Sequence, residues 1–368
     1  MRLLHIGQSY PFVSYAISSL STHLDAEVVA YVSQHSNRTG NFTISTTNAR
    51  VETWPACRVA KRWRAVQLAR QADVIIAHEL STIASLAIAA NPRAVAVWSG
   101  WGVDYYHDAY TDDTLLGPLT KQWTLKPQIR SRVLNYALRK IRSHAARRVD
   151  LFCAPIPSDE SIMRAAFPSL RGTPIQMPYL EIQVPEVVPA NQGRDILVGN
   201  SATPTCNHLE AFSLLSHHDL TNRRVIVPLT YGDTTYREIV VREGKRLLGA
   251  NFLPLIDHLP EAQYSDLMDQ CSVAIFNHRR QQAMGNIIAA LQKGMAVYMD
   301  DVNPASEWLR EAGARIYSTS DLSVAPPQNV LTYIDRLQNA RTLRTTWSHD
   351  AVYAKYKDAA DHILTLAQ

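Results

Sequence analysis

Asp195-Ile-Leu-Val-Gly-Asn-Ser-Ala-Thr-Pro-Thr-Cys-Asn-His208 carries the plainest structural signal in the chain. Ile196, Leu197 and Val198 form an unbroken apolar run, which predicts a strand buried on both faces of a parallel sheet. Gly199 permits a sharp turn. A small, hydroxyl-rich turn follows, and a helix is predicted from His208. Free backbone N–H groups and the positive end of a helix dipole therefore reach the strand tip, which is how a chain builds an anion pocket. Its position near residue 196, rather than near residue 5, assigns the phosphate-type ligand to the C-terminal half.

The same alternation of short Val/Ile/Leu runs and helical stretches extends in both directions, the pattern of doubly wound α/β sheets. Strands are predicted near 2–6, 26–32, 73–77, 94–98 and 149–153 in the first half, and near 195–199, 223–228, 251–254, 272–276 and 295–299 in the second. Between the two sets, Thr173 to Asp195 holds Pro174, Pro178, Pro185 and Pro189 and lacks helical periodicity, so it reads as a linker. The expected architecture is α/β: a Rossmann-like domain over 1–175, a linker over 176–194, and a second Rossmann-like domain over 195–345. The two domains are expected to face each other across a cleft. Residues 346–368 form a terminal helix expected to dock on the first domain. No internal repeat or low-complexity tract interrupts this plan.

Bulk properties narrow the class. A chain of 368 residues is long for one core and suits two. With 46% hydrophobic and 19% charged residues it reads as globular. Met1-Arg-Leu-Leu-His-Ile-Gly-Gln8 predicts a short first strand, too brief an apolar run for a signal peptide. The best candidate span, 83–97, is broken by Asn91-Pro-Arg93, so a cytoplasmic location is expected. Cys57, Cys153, Cys206 and Cys271 lie far apart with no Cys-x-x-Cys pair, which suggests neither zinc knuckle nor disulfide framework. The sequons at Asn37 and Asn41 carry no meaning in that compartment.

A second constellation runs from Val273 to Met299. A strand ends at Phe276, a polar loop follows, Gly285-Asn286 starts a helix, Gly294 ends it and another strand begins. Amides near 285–287 are placed to take a pyrophosphate, with Asn277, His278, Arg279, Gln281 and Gln282 around it as donors. A third polar loop, Pro228-Leu-Thr-Tyr-Gly232, also follows a strand. Ligands of open α/β sheets bind outside the carboxyl ends of strands, and all three loops fall there.

The remaining signal is charge. Between Thr114 and Val149 there are nine basic residues and no acid, interleaved with Trp123 and a series of leucines. Such a basic amphipathic stretch suits an anionic membrane surface, with Trp123, Lys126, Arg130, Arg139 and Lys140 as the expected contacts. Nucleic acid is not an expected partner: the net charge of +4 is modest and no recognition motif accompanies it.

Gly199-Asn-Ser201 with His208, Val227-Pro-Leu-Thr-Tyr-Gly232 and Phe276-Asn-His-Arg-Arg-Gln-Gln-Ala-Met-Gly-Asn286 resemble the TDP-N-acetylfucosamine:lipid II N-acetylfucosaminyltransferase family, the 4-alpha-L-fucosyltransferases of glycosyltransferase family 56. Trp98-Ser-Gly-Trp-Gly-Val-Asp104 resembles that family's Trp-Gly-x-Asp segment. The resemblance runs from about residue 73 to 320, with Cys206 standing where the pattern suggests Asn. It implies a bacterial GT-B enzyme, peripheral on the inner face of the cell membrane, with 1–175 as the acceptor and membrane-facing domain and 195–345 as the sugar-nucleotide donor domain. Such an enzyme moves a deoxyamino sugar, without a metal cofactor, from a nucleotide diphosphate, TDP in the family's case, to a lipid-linked saccharide in surface polysaccharide synthesis.

That chemistry asks for stabilisation of the departing diphosphate and for a base to take the acceptor's proton. Asp104, between Trp101-Gly102 and Tyr105-Tyr106, is the expected base, with helix capping as its alternative; His78 and Glu79 are further candidates. For the donor, Asn200, Ser201, Thr205 and His208 are expected on one side, Tyr231 and Gly232 beside them, and Asn277, His278, Arg279, Gln281, Gln282, Gly285 and Asn286 on the other. His258 lies in a loop of the donor domain. A sugar-nucleotide epimerase of the same architecture and a non-catalytic membrane-associated nucleotide-binding module are the competing readings. An NAD dehydrogenase is disfavoured because neither half has Gly-x-Gly-x-x-Gly after its first strand.

Overall fold

The computed structural model describes residues 1–33, 49–124, 132–328 and 330–368. The chain divides into two compact units. The first holds a seven-stranded, wholly parallel sheet: β1 (Arg2–Gly7), β2 (Glu27–Val32), β3 (Ala49–Thr53), β4 (Val74–His78), β5 (Val95–Ser99), β6 (Leu151–Cys153) and β7 (Thr173–Ile175). Their order is β3-β2-β1-β4-β5-β6-β7. Strand direction of travel reverses between β1 and β4, the switch point at which such sheets open a ligand crevice.

Alternation along each strand divides the core into two layers. Leu3, Val28, Val74, Ile76, Val95 and Val97 face the helix Pro11–Ser21 and the terminal helix His349–Ala367, whose Val352, Tyr356 and Ile363 are buried among them. The helices Arg58–Ala69, Thr82–Ala90 and Arg132–Ala146 pack side by side in that order. They cover the opposite face, as right-handed crossovers from β3, β4 and β5 require.

The second unit is a six-stranded parallel sheet: β8 (Asp195–Val198), β9 (Val225–Pro228), β10 (Phe252–Leu255), β11 (Cys271–Phe276), β12 (Ala296–Met299) and β13 (Ile316–Ser318). The order is β10-β9-β8-β11-β12-β13, so its switch point lies between β8 and β11. Ile196, Leu197 and Val198 are at most 1% exposed. Burying each contributes about 1.5–3 kcal/mol. Arg224 pins the start of β8, with its N–H and Nε each 2.8 Å from the Asp195 carboxylate.

Each of the ten strands expected from apolar runs is present. Three more, β3, β7 and β13, form sheet edges and lack such runs; β7 carries Pro174, which an edge strand tolerates and a central one does not. Its presence also shortens the segment that reads as linker. A second correction concerns residues 110–124, expected in the first domain but belonging to the second unit. Asn207 draws them in, accepting from Gly117 N–H at 2.8 Å and donating to Leu115 O at 3.1 Å. Glu210 adds the Thr120 N–H at 2.9 Å and its hydroxyl at 2.6 Å.

Candidate active site

At the switch point of the second unit, the turn after β8 meets the loop after β11. Asn200, Thr205, Cys206, Tyr231 and Gln282 form one polar cluster there. Gln282 Nε2 donates to Asn200 Oδ1 at 3.0 Å, Thr205 Oγ1 donates to Gln282 Oε1 at 2.7 Å, and Asn200 Nδ2 donates to Tyr231 OH at 2.7 Å. Cys206 Sγ closes the ring, 3.4 Å from Asn200 Oδ1. Tyr231 is exposed and Gln282 half-buried, so the cluster opens to solvent on that side.

Of the helices that start at this sheet edge, three follow directly from residues of the cluster, and their first turns differ. The helix His208–Leu215 is closed: its His208 N–H is 3.3 Å from Tyr236 OH, and Asn207 ahead of it is engaged with residues 115–117. The helix Thr234–Leu248 is capped by Asp233, which accepts from Tyr236 N–H at 2.8 Å. The helix Met284–Gln292 has no side-chain cap. Gly285 in its first turn is exposed, and a Cβ there would meet nothing within 4 Å. Of these three starts, an anion fits the last, where amides and dipole are available.

The first unit presents a carboxylate at its own switch point. Glu79 follows β4 directly, adopts φ +83°, and is half-buried. Gln8, just after β1, donates to it at 3.4 Å, and Tyr10 OH holds Gln8 Oε1 at 2.9 Å. Burial, aided by the nearby charge of Asp104, pushes the Glu79 carboxyl up to about 7. Asp104 is a different kind of group. It is buried and accepts from Leu80 N–H at 2.9 Å, Trp101 N–H at 2.9 Å and Trp98 Nε1 at 2.7 Å. Burial raises its pKa while these three donors hold its ionised form.

The backbone marks the same places. Among the described residues, four non-glycine residues have positive φ; two are asparagines, which tolerate it. The others are Glu79 and Ala283, at φ +61° just before Met284. Backbone strain of this kind, about 1–3 kcal/mol per residue, clusters at functional sites.

The family model described as 4-alpha-L-fucosyltransferase glycosyl transferase group 56 matches residues 65–341. The chain belongs to this glycosyltransferase family. Solved structures share the fold of the whole chain. Sucrose-phosphate synthase from Thermosynechococcus elongatus matches at a TM-score of 0.67 with 10% identity over 99% of both chains. A glycosyltransferase from Rickettsia africae matches at 0.63 with 10% identity over 99% of this chain and 98% of its own. Anabaena HepE in complex with UDP matches at 0.55 with 13% identity over 100% and 98%. The two parallel-sheet units are thus the two Rossmann-like domains of a GT-B glycosyltransferase.

In this glycosyltransferase several expected donor residues lie beneath the site rather than in it. His208 is fully buried, its Nε2 packed where a Cβ on Gly199 would lie 2.6 Å away, and burial lowers its pKa to about 3. His278 is fully buried against Phe276, and burial, then the Arg280 charge, hold it neutral. Ser201 is buried and bonds Thr203. Gly232 gives close approach not to a ligand but to the Ala202 backbone, which it meets in an isolated bridge.

Asn277 is buried and donates to Asn207 O at 3.2 Å, while Arg279 is paired with Asp300 at 3.3 Å. Gln281 is buried at the loop's base, and Asn286 accepts from Tyr264 OH at 3.4 Å beside the open helix start. Sequence reasoning passed over Arg280, whose charge reaches Cys206 and His278. In the first unit, His78 is buried with its Nε2 3.0 Å from His5 Nδ1, and burial lowers it to about 4. Among the described residues, no three His, Cys, Asp or Glu side chains gather as a metal site.

The basic stretch is divided between the two units. Trp123 belongs to the second unit with Arg242 4.5 Å over its ring, whereas Arg139 and Lys140 belong to the first. Lys126 and Arg130 lie outside the described residues. Acids from just upstream also answer the charge: Asp113 pairs Lys121, and Asp108 pairs Arg139 and Arg142. A recess lined by Met1, Arg2, Asp25, Glu27 and Asp73 sits at the amino ends of β1 and β4, away from the ligand edge, with Arg2 paired to Glu27 and its N–H bound to Asp73.

Proposed function

We propose that this enzyme transfers a deoxyamino sugar such as N-acetylfucosamine, or fucose, from a nucleoside diphosphate, TDP in the first instance, to a lipid-linked saccharide in bacterial surface polysaccharide synthesis. The uncapped helix start at Met284 carries the reading. Its amides and dipole, with Arg280 beside them, offer the positive field that a departing diphosphate needs, with no metal required. Asn200, Tyr231, Gln282 and Asn286 then supply oxygen and nitrogen contacts to the sugar or phosphates, and the open space at Gly285 leaves room for the pyrophosphate. The UDP bound by Anabaena HepE supports a nucleotide ligand for this fold.

On the acceptor side Glu79 takes the hydroxyl's proton. It is the carboxylate at the first unit's switch point that is reachable from solvent and tuned near neutral pH, whereas Asp104 spends its lone pairs on Leu80, Trp98 and Trp101. Asp104 acts by tying the ends of β4 and β5 together and by the charge it sets beside Glu79. The domain with the terminal helix is accordingly the acceptor domain, expected at the cytoplasmic face of the cell membrane; no helix among the described residues is long and apolar enough to cross it.

The test is transfer from a panel of TDP- and UDP-sugars to an undecaprenyl-linked saccharide in the presence of EDTA. Product from a TDP-deoxyamino sugar is expected at the rate seen with Mg²⁺. Donor turnover only with UDP-hexoses would refute the donor assignment, and loss of activity on chelation would refute the metal-free reading.

A further inference from the structure

The helix Arg58–Ala69 carries a surface that the transfer reaction does not use. Its Ala65, Leu68 and Ala69 are buried against the sheet. On the outward side Val59 is 73% exposed and Trp63 is 58% exposed, one turn apart and so side by side. Between Glu52 and Asp73 the chain has five basic residues and no acid. Arg64 is committed to Glu52 at 2.8 Å, and Lys61 lies 4.7 Å over the Trp54 ring. No acidic side chain among the described residues pairs with Arg58, Arg62 or Arg70, all exposed. This contrasts with Trp123, covered by Arg242, and with Arg139 and Arg142, answered by Asp108.

We propose that this helix face docks the enzyme on an anionic phospholipid surface, with Trp63 and Val59 entering the headgroup region and Arg58, Arg62 and Arg70 meeting lipid phosphates. Two apolar side chains on a convex helix bury far less than the roughly 1,200 Å² that a stable protein interface needs. They suit a fluid interface, where Trp is favoured and each cation adds to binding. The proposal rests on the reading that the acceptor is lipid-linked, since such a substrate is met at a membrane.

Sedimentation of the full chain with vesicles of phosphatidylcholine alone, or with added phosphatidylglycerol, tests it without any substrate. Wild type is expected to bind only the anionic vesicles, less at high salt. Arg58→Gln with Arg62→Gln should lower partitioning roughly 30-fold, and Trp63→Ser should lower it at least several-fold, with unfolding temperatures unchanged. Arg139→Gln should have little effect. Absence of wild-type binding, or equal binding by these variants, overturns the proposal; retention on polyglutamate but not on vesicles overturns it in favour of an acidic protein partner. The variants should transfer sugar to a short-chain, water-soluble acceptor at the wild-type rate. A wild-type enzyme that binds vesicles but transfers nothing would defeat the functional reading and leave this surface standing.

Discussion

Two helix starts at one sheet edge, His208 and Met284, are almost the same in sequence logic and opposite in structure. Each follows a buried strand and a polar turn. At His208 the first-turn N–H is taken by Tyr236 OH and the preceding Asn207 is bound to residues 115–117. At Met284 no side chain caps the turn and the space around Gly285 is open. A helix dipole is therefore a site only where the fold leaves it uncovered. The first unit repeats the contrast in carboxylates: Asp104 accepts three hydrogen bonds, whereas Glu79 receives one long one from Gln8.

The largest effect expected from this contrast is at Glu79. Glu79→Gln should lower kcat by ~10³ with donor affinity unchanged, while Asp104→Asn should mainly destabilise. Wild-type kcat/KM should fall as pH drops through about 7, because the base must be ionised. The stability sign is opposite. A carboxyl whose pKa is raised by folding favours the folded state fully below its unfolded value near 4.5, and loses that contribution as pH rises through about 7. Glu79→Gln should thus gain stability over wild type at pH 8 and none at pH 4, read by denaturant titration; an equal shift at both would deny the tuned carboxylate.

Next in size, Gly285→Asp should weaken nucleoside diphosphate binding ~100-fold, about 2.7 kcal/mol, with the melting temperature intact, since a carboxylate would occupy the anion's place in open space. Calorimetry would measure it. Gly199→Ala should do the reverse, costing about 2 kcal/mol of stability through its φ of +69° and the His208 ring beneath it, with little change in affinity of the folded protein. Smallest is Asp233→Ala, which removes a cap worth about 1 kcal/mol and should leave donor binding untouched, because that helix start already carries its own acid.

The fold was legible where burial is written into consecutive residues. Ile196-Leu197-Val198 and its nine counterparts read as strands from their apolar runs: nine are central and covered on both faces, and the tenth is the apolar edge strand β10. The other three edges were not legible: Ala49–Thr53 is Ala-Arg-Val-Glu-Thr, half polar because at the edge Arg50, Val51 and Thr53 meet solvent. The site loops were legible as polar turns after strands, but which side chains point outward was not. His208 and His278 look like ligands in sequence and are core groups, because what buries them, Tyr236, Phe276 and the turn at Gly199, comes from separate elements. The capture of residues 115–120 by Asn207 and Glu210 spans about ninety positions and leaves no periodic trace. Glu79 carried only a positional hint; its positive φ and its raised pKa belong to the folded chain.

The most direct test of which helix start receives the diphosphate is an amide-resolved NMR titration of the protein with thymidine diphosphate. Saturable shifts are expected at the N–H groups of Gly285 and Asn286, with the His208 amide held still by its bond to Tyr236 OH. A shift at His208 with Gly285 unmoved would contradict the account.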